Sequence, residues 1–397
     1  MAGPLSHIRV LDLSRIMAGP WAGQILADLG ADVIKVERPG EGDDTRTWGP
    51  PFLKDADGND TTDAGYFLAV NRGKRSIGVD LATPDGQRIV RELAARSDIL
   101  LENFKVDTLA RYGLGYDDLK AINPRLVYCS ITGFGQTGPR RAQPAYDFMI
   151  QALGGLMSVT GEREGVGGPQ KVGVPIVDIM TGMYGVIAVL AALARRTESG
   201  RGDHIDIGML DVQVSFLANQ AMNYLVSGRA PTRSGNAHPN IQPQDAFRCR
   251  DGHMVLVVGN DGQFARFCDV VGRPEWVDDE RFRSNAARVR NRDVLKGEIE
   301  SVFVTRDMND WREALDVAGV PSAPINAVPQ ALADPQVAAR DMLIDFPPPA
   351  AGTVRLVASP MRFREAPLKY ERHPPRVGEH TAEVLQQFGL AAPIPTK

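Results

Sequence analysis

The chain has 397 residues, 43% of them hydrophobic and 24% charged, with a formal net charge of -4 at pH 7. That length exceeds what one hydrophobic core usually organises, so two domains are expected. The slightly acidic balance rules out a global attraction for nucleic acid, leaving any anionic ligand to a local cluster of Lys and Arg.

In chain order, Ile8–Leu13 reads as a buried strand, and Gly19-Pro20 opens a helix that runs through Leu29 and closes on Gly30. Val33–Val36 and Ser76–Val79 read as strands, Pro84–Ala95 as a helix, and Ile99–Leu101 and Leu126–Ile131 as further strands. Alternation of this kind predicts a parallel sheet covered on both faces, with ligands at the loops beyond the strand carboxyl ends. Residues 179–194 form an almost unbroken apolar run of 16, short of the about 20 that a membrane span needs, and so predict a buried core helix. Ile205–Met209 reads as a strand and 210–226 as helical. The Gly, Pro, Asn and Arg content of 227–244 marks a mobile loop, and Ala246–Val258 a hairpin turning at Asp251-Gly252. The expected division is a large α/β domain over 1–210, a linker at 211–225, a small domain over 226–325, and a segment over 326–397 that returns to the large domain. Prolines 347–349 and the stretch His373-Pro374-Pro375 predict an extended tail.

Cys129, Cys249 and Cys268 are too few and too scattered for a disulfide framework or a thiolate metal site, and they fit a reducing compartment. The opening residues lack the blocks of a signal peptide, so a cytoplasmic location is expected. No P-loop, H-E-x-x-H or G-x-S-x-G motif is present, and the six histidines have no partners at ligand spacing, so no metal site is expected. Gly133–Gly138 matches G-x-G-x-x-G, but Pro139-Arg140-Arg141 follows where a helix should begin. A glycine-rich active-site loop fits it better than a dinucleotide site. Lys35, Arg38, Arg46, Lys74, Arg75, Lys105 and Arg111 recur near strand ends, a pattern that suits a polyphosphate ligand. Asp178 stands between an apolar run and the apolar helix. It reads either as a helix N-cap or as a functional carboxylate kept ionised by the helix dipole.

Several segments together resemble the family III CoA transferases of the CaiB/BaiF type. They are Ile8–Leu13 with Ala18-Gly19-Pro20, Leu29–Glu37, Asn71–Ser76, Glu102-Asn103-Phe104, Thr132–Gly135, Gly200-Arg201-Gly202 and Gly378–Thr381. The resemblance covers nearly the whole chain in order. It implies a Rossmann-like parallel-sheet domain with a smaller α+β domain, in two subunits interlocked as a homodimer. It also implies CoA and acyl-CoA as substrates, with no permanently bound cofactor and neither nucleic acid nor membrane as partner. Asp178 matches the family's catalytic aspartate. Met17 and Ala18 match positions beside the CoA, Arg38 and Arg111 residues that hold its phosphates, and Val79, Asp80 and Leu81 the adenine segment. Asn103, Phe104 and Lys105 match the loop along the CoA arm, Tyr146 and Asp147 a pair near the thioester, and Trp48 an acyl-pocket aromatic.

Two features depart from the formyl-CoA:oxalate members: Met17 stands where they carry Gln, and Pro144 where they carry Lys. Ser234–Ile241, with His238, is closer to transferases of dicarboxylates such as succinate. The implied reaction passes CoA from an acyl-CoA to a free acid through an aspartyl anhydride and an aspartyl-CoA thioester, with amides of Gly133–Gly138 expected to hold the oxyanion. The alternatives are a racemase of 2-methylacyl-CoA, which would need a His where Tyr146 stands, and an inactive CoA-binding protein.

Overall fold

The structure is a computed structural model and describes residues 3–346 and 354–391. Strand β1 (Arg9–Asp12) runs into helix α1 (Ala18–Asp28), which returns the chain to β2 (Asp32–Glu37). A hairpin of β3 (Phe52–Lys54) with β4 (Asp60–Ala64) and one turn of helix, α2 (Gly65–Leu68), precede β5 (Lys74–Gly78). Then come α3 (Pro84–Ala94), β6 (Ile99–Glu102), α4 (Tyr116–Ile122) and β7 (Val127–Thr132). Helices α5 (Asp147–Leu153) and α6 (Leu156–Val159) lead to the long α7 (Ile176–Ser199), and β8 (Asp203–Gly208) and α8 (Met209–Ser215) follow.

The sheet order is β5-β2-β1-β6-β7-β8, all pairings parallel. The apolar runs explain it: Val10, Leu11, Ile34, Ile99, Leu100 and Val127 are fully buried, as a sheet covered on both faces requires. On one face Leu11, Ile77, Ile89, Leu93 and Leu119 share a core, and on the other Val10, Ala22, Leu26, Cys129 and Val189 do so. The winding direction reverses between β1 and β6, which opens a crevice beyond their carboxyl ends.

Compact units divide the chain: the first holds residues 1–156, 172–218 and 335–397, the second 157–171 and 219–334. The segment 211–225, expected as a helical linker, is helical and comprises most of α8 and of α9 (Ala218–Ser227). The apolar side chains of Met209 and Val212 bury α8, which packs on α5 and α7. The second unit is α+β. Strands β9 (Gln244–Arg248) and β10 (His253–Val257) form the expected hairpin, and helices α10 (Asp261–Val270), α11 (Asn285–Arg290), α12 (Arg292–Phe303) and α13 (Met308–Val317) pack with it. Its aromatic core holds Phe247, Phe264, Phe267, Trp276, Phe282, Phe303 and Trp311, and β11 (Ser322–Pro324) and α14 (Val328–Leu332) complete the unit. Helix α15 (Pro335–Ala339), strands β12 (Leu343–Phe346) and β13 (Val354–Val357) and helix α16 (Thr381–Phe388) belong to the first unit, where Val384, Leu385 and Phe388 join the sheet's core. Prolines 347–349 lie outside the described residues, and His373-Pro374-Pro375 belongs to no helix or strand.

Helix α7 is 24 residues long and apolar enough to cross a membrane by length and composition. One stripe of it, from Val177 through Thr181, Gly182, Gly185, Val186 and Val189 to Ala192, is buried in the fold. Gly200, at φ 67°, ends it in the left-handed conformation that glycine adopts freely.

Candidate active site

Beyond the carboxyl ends of β1, β2, β5 and β6 lies a cleft of about 160 Å³, lined among others by Arg15, Arg38, Val79, Leu81, Phe104 and Tyr112. Its walls come from four loops that the sequence separates widely. One side chain ties two of them together: the Asn103 amide accepts from Arg15 N at 2.8 Å and donates to Arg15 O at 2.6 Å. The guanidinium of Arg15 lies 5.3 Å from the Phe104 ring centroid, and Arg38 is exposed at the rim beside Glu41. Glu102, at the end of β6, accepts from Phe104 N at 2.8 Å and so fixes the turn that carries Phe104. Burial raises Glu102 to about pKa 7, against the lowering effect of its hydrogen bonds to Ser130 and Phe104.

Four of the seven cations read as phosphate ligands are committed elsewhere. Lys35 pairs with Asp43 at 2.9 Å and Lys74 with Asp12 at 2.8 Å, with no side-chain exposure in either pair. Arg46 bonds Glu37 and Asp63, and Arg75 bonds Asp32 and Glu383. Lys35, Lys74 and Arg75 leave their strands toward the fold and Arg46 enters it from the turn after β2, and the fold supplies carboxylates to all four. Of the other three, Arg38 lines the cleft, and Arg111 sits exposed on the turn that brings Tyr112 to it. Lys105 lines an adjoining cavity with Glu102, Ser130, Tyr128 and His204.

Asp178 occupies the first turn of α7, behind Pro175 at the N-cap position. The N-cap reading of Asp178 is therefore corrected. The carboxylate that caps this helix is Asp147, whose Oδ1 accepts from Val177 N at 2.7 Å and Asp178 N at 3.2 Å. Gln151 holds Asp147 in place by donating to its Oδ2, and takes Val172 N on its own Oε1. The Asp178 carboxyl accepts no hydrogen bond among the described residues, and its residue is only 9% exposed. Burial first, and the Asp147 charge second, raise it to about pKa 7. The expectation that the helix dipole keeps it fully ionised is corrected accordingly.

One turn beyond Asp178, Gly182 meets the start of α1: a Cβ there would lie 2.6 Å from Ala18 O and 3.1 Å from the Trp21 ring. That close approach sets the first turn of α1 beside the first turn of α7. The amides of Ala18 and Gly19 open α1 and have no protein acceptor among the described residues, while Trp21 N already bonds Met17 O. Thr181, three residues after Asp178, also has an unpartnered buried hydroxyl. In the Gly133–Gly138 loop, Gly135 N donates to Thr132 Oγ1 and Gln136 N to Asp206, so two of the expected oxyanion donors are already used.

An aromatic pair sits near the same carboxylates. Trp48 packs edge-on against Tyr66 at 5.2 Å between centroids. The Tyr66 phenol is raised to about pKa 12, by burial first and then by the Asp178 and Asp147 charges.

A match to the model of CoA-transferase family III spans residues 5–381. The chain belongs to CoA-transferase family III. The succinate–glutarate CoA-transferase of Agrobacterium fabrum is 50% identical over 97% of this chain and 96% of its own. The succinyl-CoA:glutarate CoA-transferase of Mus musculus is 40% identical over 97% of this chain and 86% of its own. The crystal structure of a CAIB/BAIF family protein from Brucella suis superposes with a TM-score of 0.86 at 49% identity, covering 98% of this chain and 100% of that one.

The fold thus brings most of the transferase's expected site residues to one side of its sheet. Asp178, Asp147, Met17 and Ala18 gather at the first turns of α7 and α1, Trp48 joins through Tyr66, and Arg38, Val79, Asp80, Leu81 and Phe104 line the cleft. Tyr146 is 62% exposed at the start of α5. His238 belongs to the second unit, where its Nδ1 accepts from Asn240 N. Sequence reasoning missed Arg15 and Tyr66. Arg15 directly follows the strand and turn of β1, a position that marks it as a cleft residue; nothing local marks Tyr66.

Proposed function

We propose that this family III enzyme passes CoA from an acyl-CoA to a free dicarboxylic acid, with Asp178 as the nucleophile. A single observation carries the reading: a buried carboxyl with no protein hydrogen bond among the described residues, on a helix whose next turn packs against the start of α1 and its unused amides. The cleft suits the nucleotide end of CoA, with Arg38 and Arg15 for phosphates and Val79, Leu81, Phe104 and Tyr112 for the adenine. Met17, Asn103, Lys105 and Arg111 complete the CoA contacts, and Trp48, Tyr66 and His238 serve the acyl group. The dicarboxylate assignment draws on the relatives named for succinate, glutarate and mesaconate.

In the first half-reaction, Asp178 as carboxylate attacks the thioester carbonyl. The C–S bond breaks, leaving a mixed anhydride and CoA thiolate. The thiolate attacks the aspartyl carbonyl and expels the first acid, giving the aspartyl-CoA thioester; the acceptor carboxylate then runs the sequence in reverse. Ala18 N–H and Gly19 N–H stabilise the oxyanions. Because CoA stays held at its nucleotide end, each attack is effectively intramolecular, which lowers the barrier by about 7–11 kcal/mol. Burial first, and the Asp178 and Asp147 charges after it, keep the Tyr66 phenol protonated, able to donate a hydrogen bond to a substrate oxygen.

CoA enters and leaves as substrate, so the reaction needs no resident cofactor. Three buried free cysteines support a cytoplasmic setting, and the internal pairing of so many cations supports the absence of a nucleic-acid partner. The buried stripe of α7 supports its place within the protein rather than in a membrane. The enzyme acts as an interlocked homodimer. Its proposed division is a large domain of 1–156, 172–218 and 335–397 and a smaller one of 157–171 and 219–334.

The test is hydroxylamine trapping. Wild-type enzyme incubated with succinyl-CoA should yield a hydroxamate on the peptide containing Asp178, found by mass spectrometry. Asp178→Asn should lose about a thousandfold or more in turnover while retaining CoA binding. Label on any other residue, or none, overturns the assignment.

A further inference from the structure

The segment between β1 and α1 has its backbone bonded by side chains at every residue from Ser14 to Ile16. Ser14 N donates to Asp12 Oδ1 at 3.0 Å, and Ser14 O accepts from Lys35 Nζ at 2.8 Å. Arg15 N and O are both held by Asn103. Ile16 N donates to the two oxygens of Asp43, at 3.2 and 3.3 Å. These partners come from β1, β2, and the loops after β2 and β6, so the turn is gripped from several sides at once.

Ile16 itself has φ 73°. A β-branched residue crowds its own backbone in that left-handed region, and such a conformation persists only where the surroundings impose it. Asp43 imposes it here. Its carboxylate also accepts from Thr45 N and Oγ1 and pairs with Lys35, which in turn holds Ser14. The buried ion pair and the partly exposed turn together form one hydrogen-bonded unit. Met17 and the first turn of α1 follow directly, and Gly19 packs so tightly on Ser14 that a Cβ would lie 2.2 Å from the Ser14 Cβ. Any relaxation at Ile16 therefore displaces the amides of Ala18 and Gly19.

We infer that Asp43, braced by Lys35, is a positioning residue for CoA transfer: it holds Ile16 in a strained left-handed turn and thereby aims the first amides of α1 at the carbonyl that reacts with Asp178. The inference rests on Asp178 being the nucleophile. It assigns to a buried ion pair, otherwise only structural, a role in setting the oxyanion donors.

Lys35 faces Asp43 directly and Lys74 acts on it from further off, while the charges of Asp12 and Glu37 act on Lys35. An Asp43→Asn change leaves Lys35 without its counter-charge and weakens the hold on Ile16 N. Glycine adopts φ 73° without crowding, so Ile16→Gly in the same chain lets the turn keep its shape with a weaker clamp.

The experiment compares wild type, D43N, and D43N with I16G, measuring kcat for CoA transfer, Kd for free CoA and thermal unfolding. Asp43→Asn should lower kcat by about tenfold or more and change Kd by less than about threefold. Adding Ile16→Gly should recover about threefold or more of the lost kcat without recovering the lost thermal stability. A merely structural Asp43 gives no such rescue, and a folded double variant with kcat no higher than D43N overturns the inference. So does D43N with wild-type kcat. Should D43N not fold, Thr45→Val, which removes the hydroxyl that donates to Asp43 Oδ1 at 2.8 Å, replaces it in the comparison with and without Ile16→Gly, under the same criteria. Hydroxylamine trapping on wild type separates the two levels: no Asp178 adduct sinks the nucleophile reading, whereas a normal adduct with no glycine rescue sinks only the clamp.

Discussion

Asp178 is held between two demands, since attack requires its anion while burial favours its protonated form. With its pKa raised to about 7, burial acting first and Asp147 second, kcat/KM should rise with pH through about 7 and level off above it. A flat profile from pH 5 to 9 contradicts the site as described. Stability runs the other way. A carboxyl whose folded pKa lies above its unfolded value contributes stability fully below the unfolded value, and loses that contribution as pH rises through about 7. Asp178→Asn should therefore come closest to wild type in thermal unfolding at about pH 4 and exceed it by a margin that grows to about 5 °C at pH 8. Asp178 was legible in the sequence as an acid flanked by apolar runs; its ionisation was not, because the dipole of α7 was credited and the surrounding desolvation cannot be counted from one chain position. The misread cations make the same point. Lys35, Arg46, Lys74 and Arg75 declare their charge locally, but Asp43, Glu37, Asp12 and Asp32 become their partners only through the fold.

For elements, the instructive case is the start of α7. Its first amides are capped by Asp147, 31 residues before Asp178, and the same carboxylate raises its neighbour's pKa. Replacing Asp147 with Asn keeps an oxygen for the amides but removes the charge, so the acid limb of the rate profile should move to lower pH. Asp147→Ala removes the cap as well and should cost about 1 kcal/mol of stability, read from denaturant unfolding. An unmoved acid limb in Asp147→Asn would show that the two carboxyls do not interact. The sheet strands and α3 were legible because their apolar spacing is strong, and Pro84 with Thr83 marks the start of α3 openly. The hairpin β3–β4 was not, since its strands carry polar residues such as Asp60, Thr61 and Thr62 and show no apolar alternation. Tyr66 follows that hairpin and went unseen with it.

On the scale of the whole molecule, the outer face of α7 asks for a partner. Met183 is 42% exposed and Ile187 60%, and with Trp21, Leu190, Leu356 and Met361 they line an apolar groove of about 750 Å³ on the first unit. Exposed apolar surface of that extent is normally covered. A membrane would cover the helix from all sides, yet its opposite stripe carries Asp178 and packs on α1. A second copy of the chain is the occupant consistent with the family expectation of interlocked subunits. Light scattering should give twice the 43.1 kDa of one chain. Ile187→Glu combined with Leu190→Glu puts two carboxylates into the contact, where each must be desolvated without a counter-charge. The pair should shift the enzyme to monomer or raise its dimer dissociation constant by about a hundredfold or more. A wild-type chain that stays at 43.1 kDa at micromolar concentration, or a double variant with undiminished dimer, would leave the groove to some other occupant.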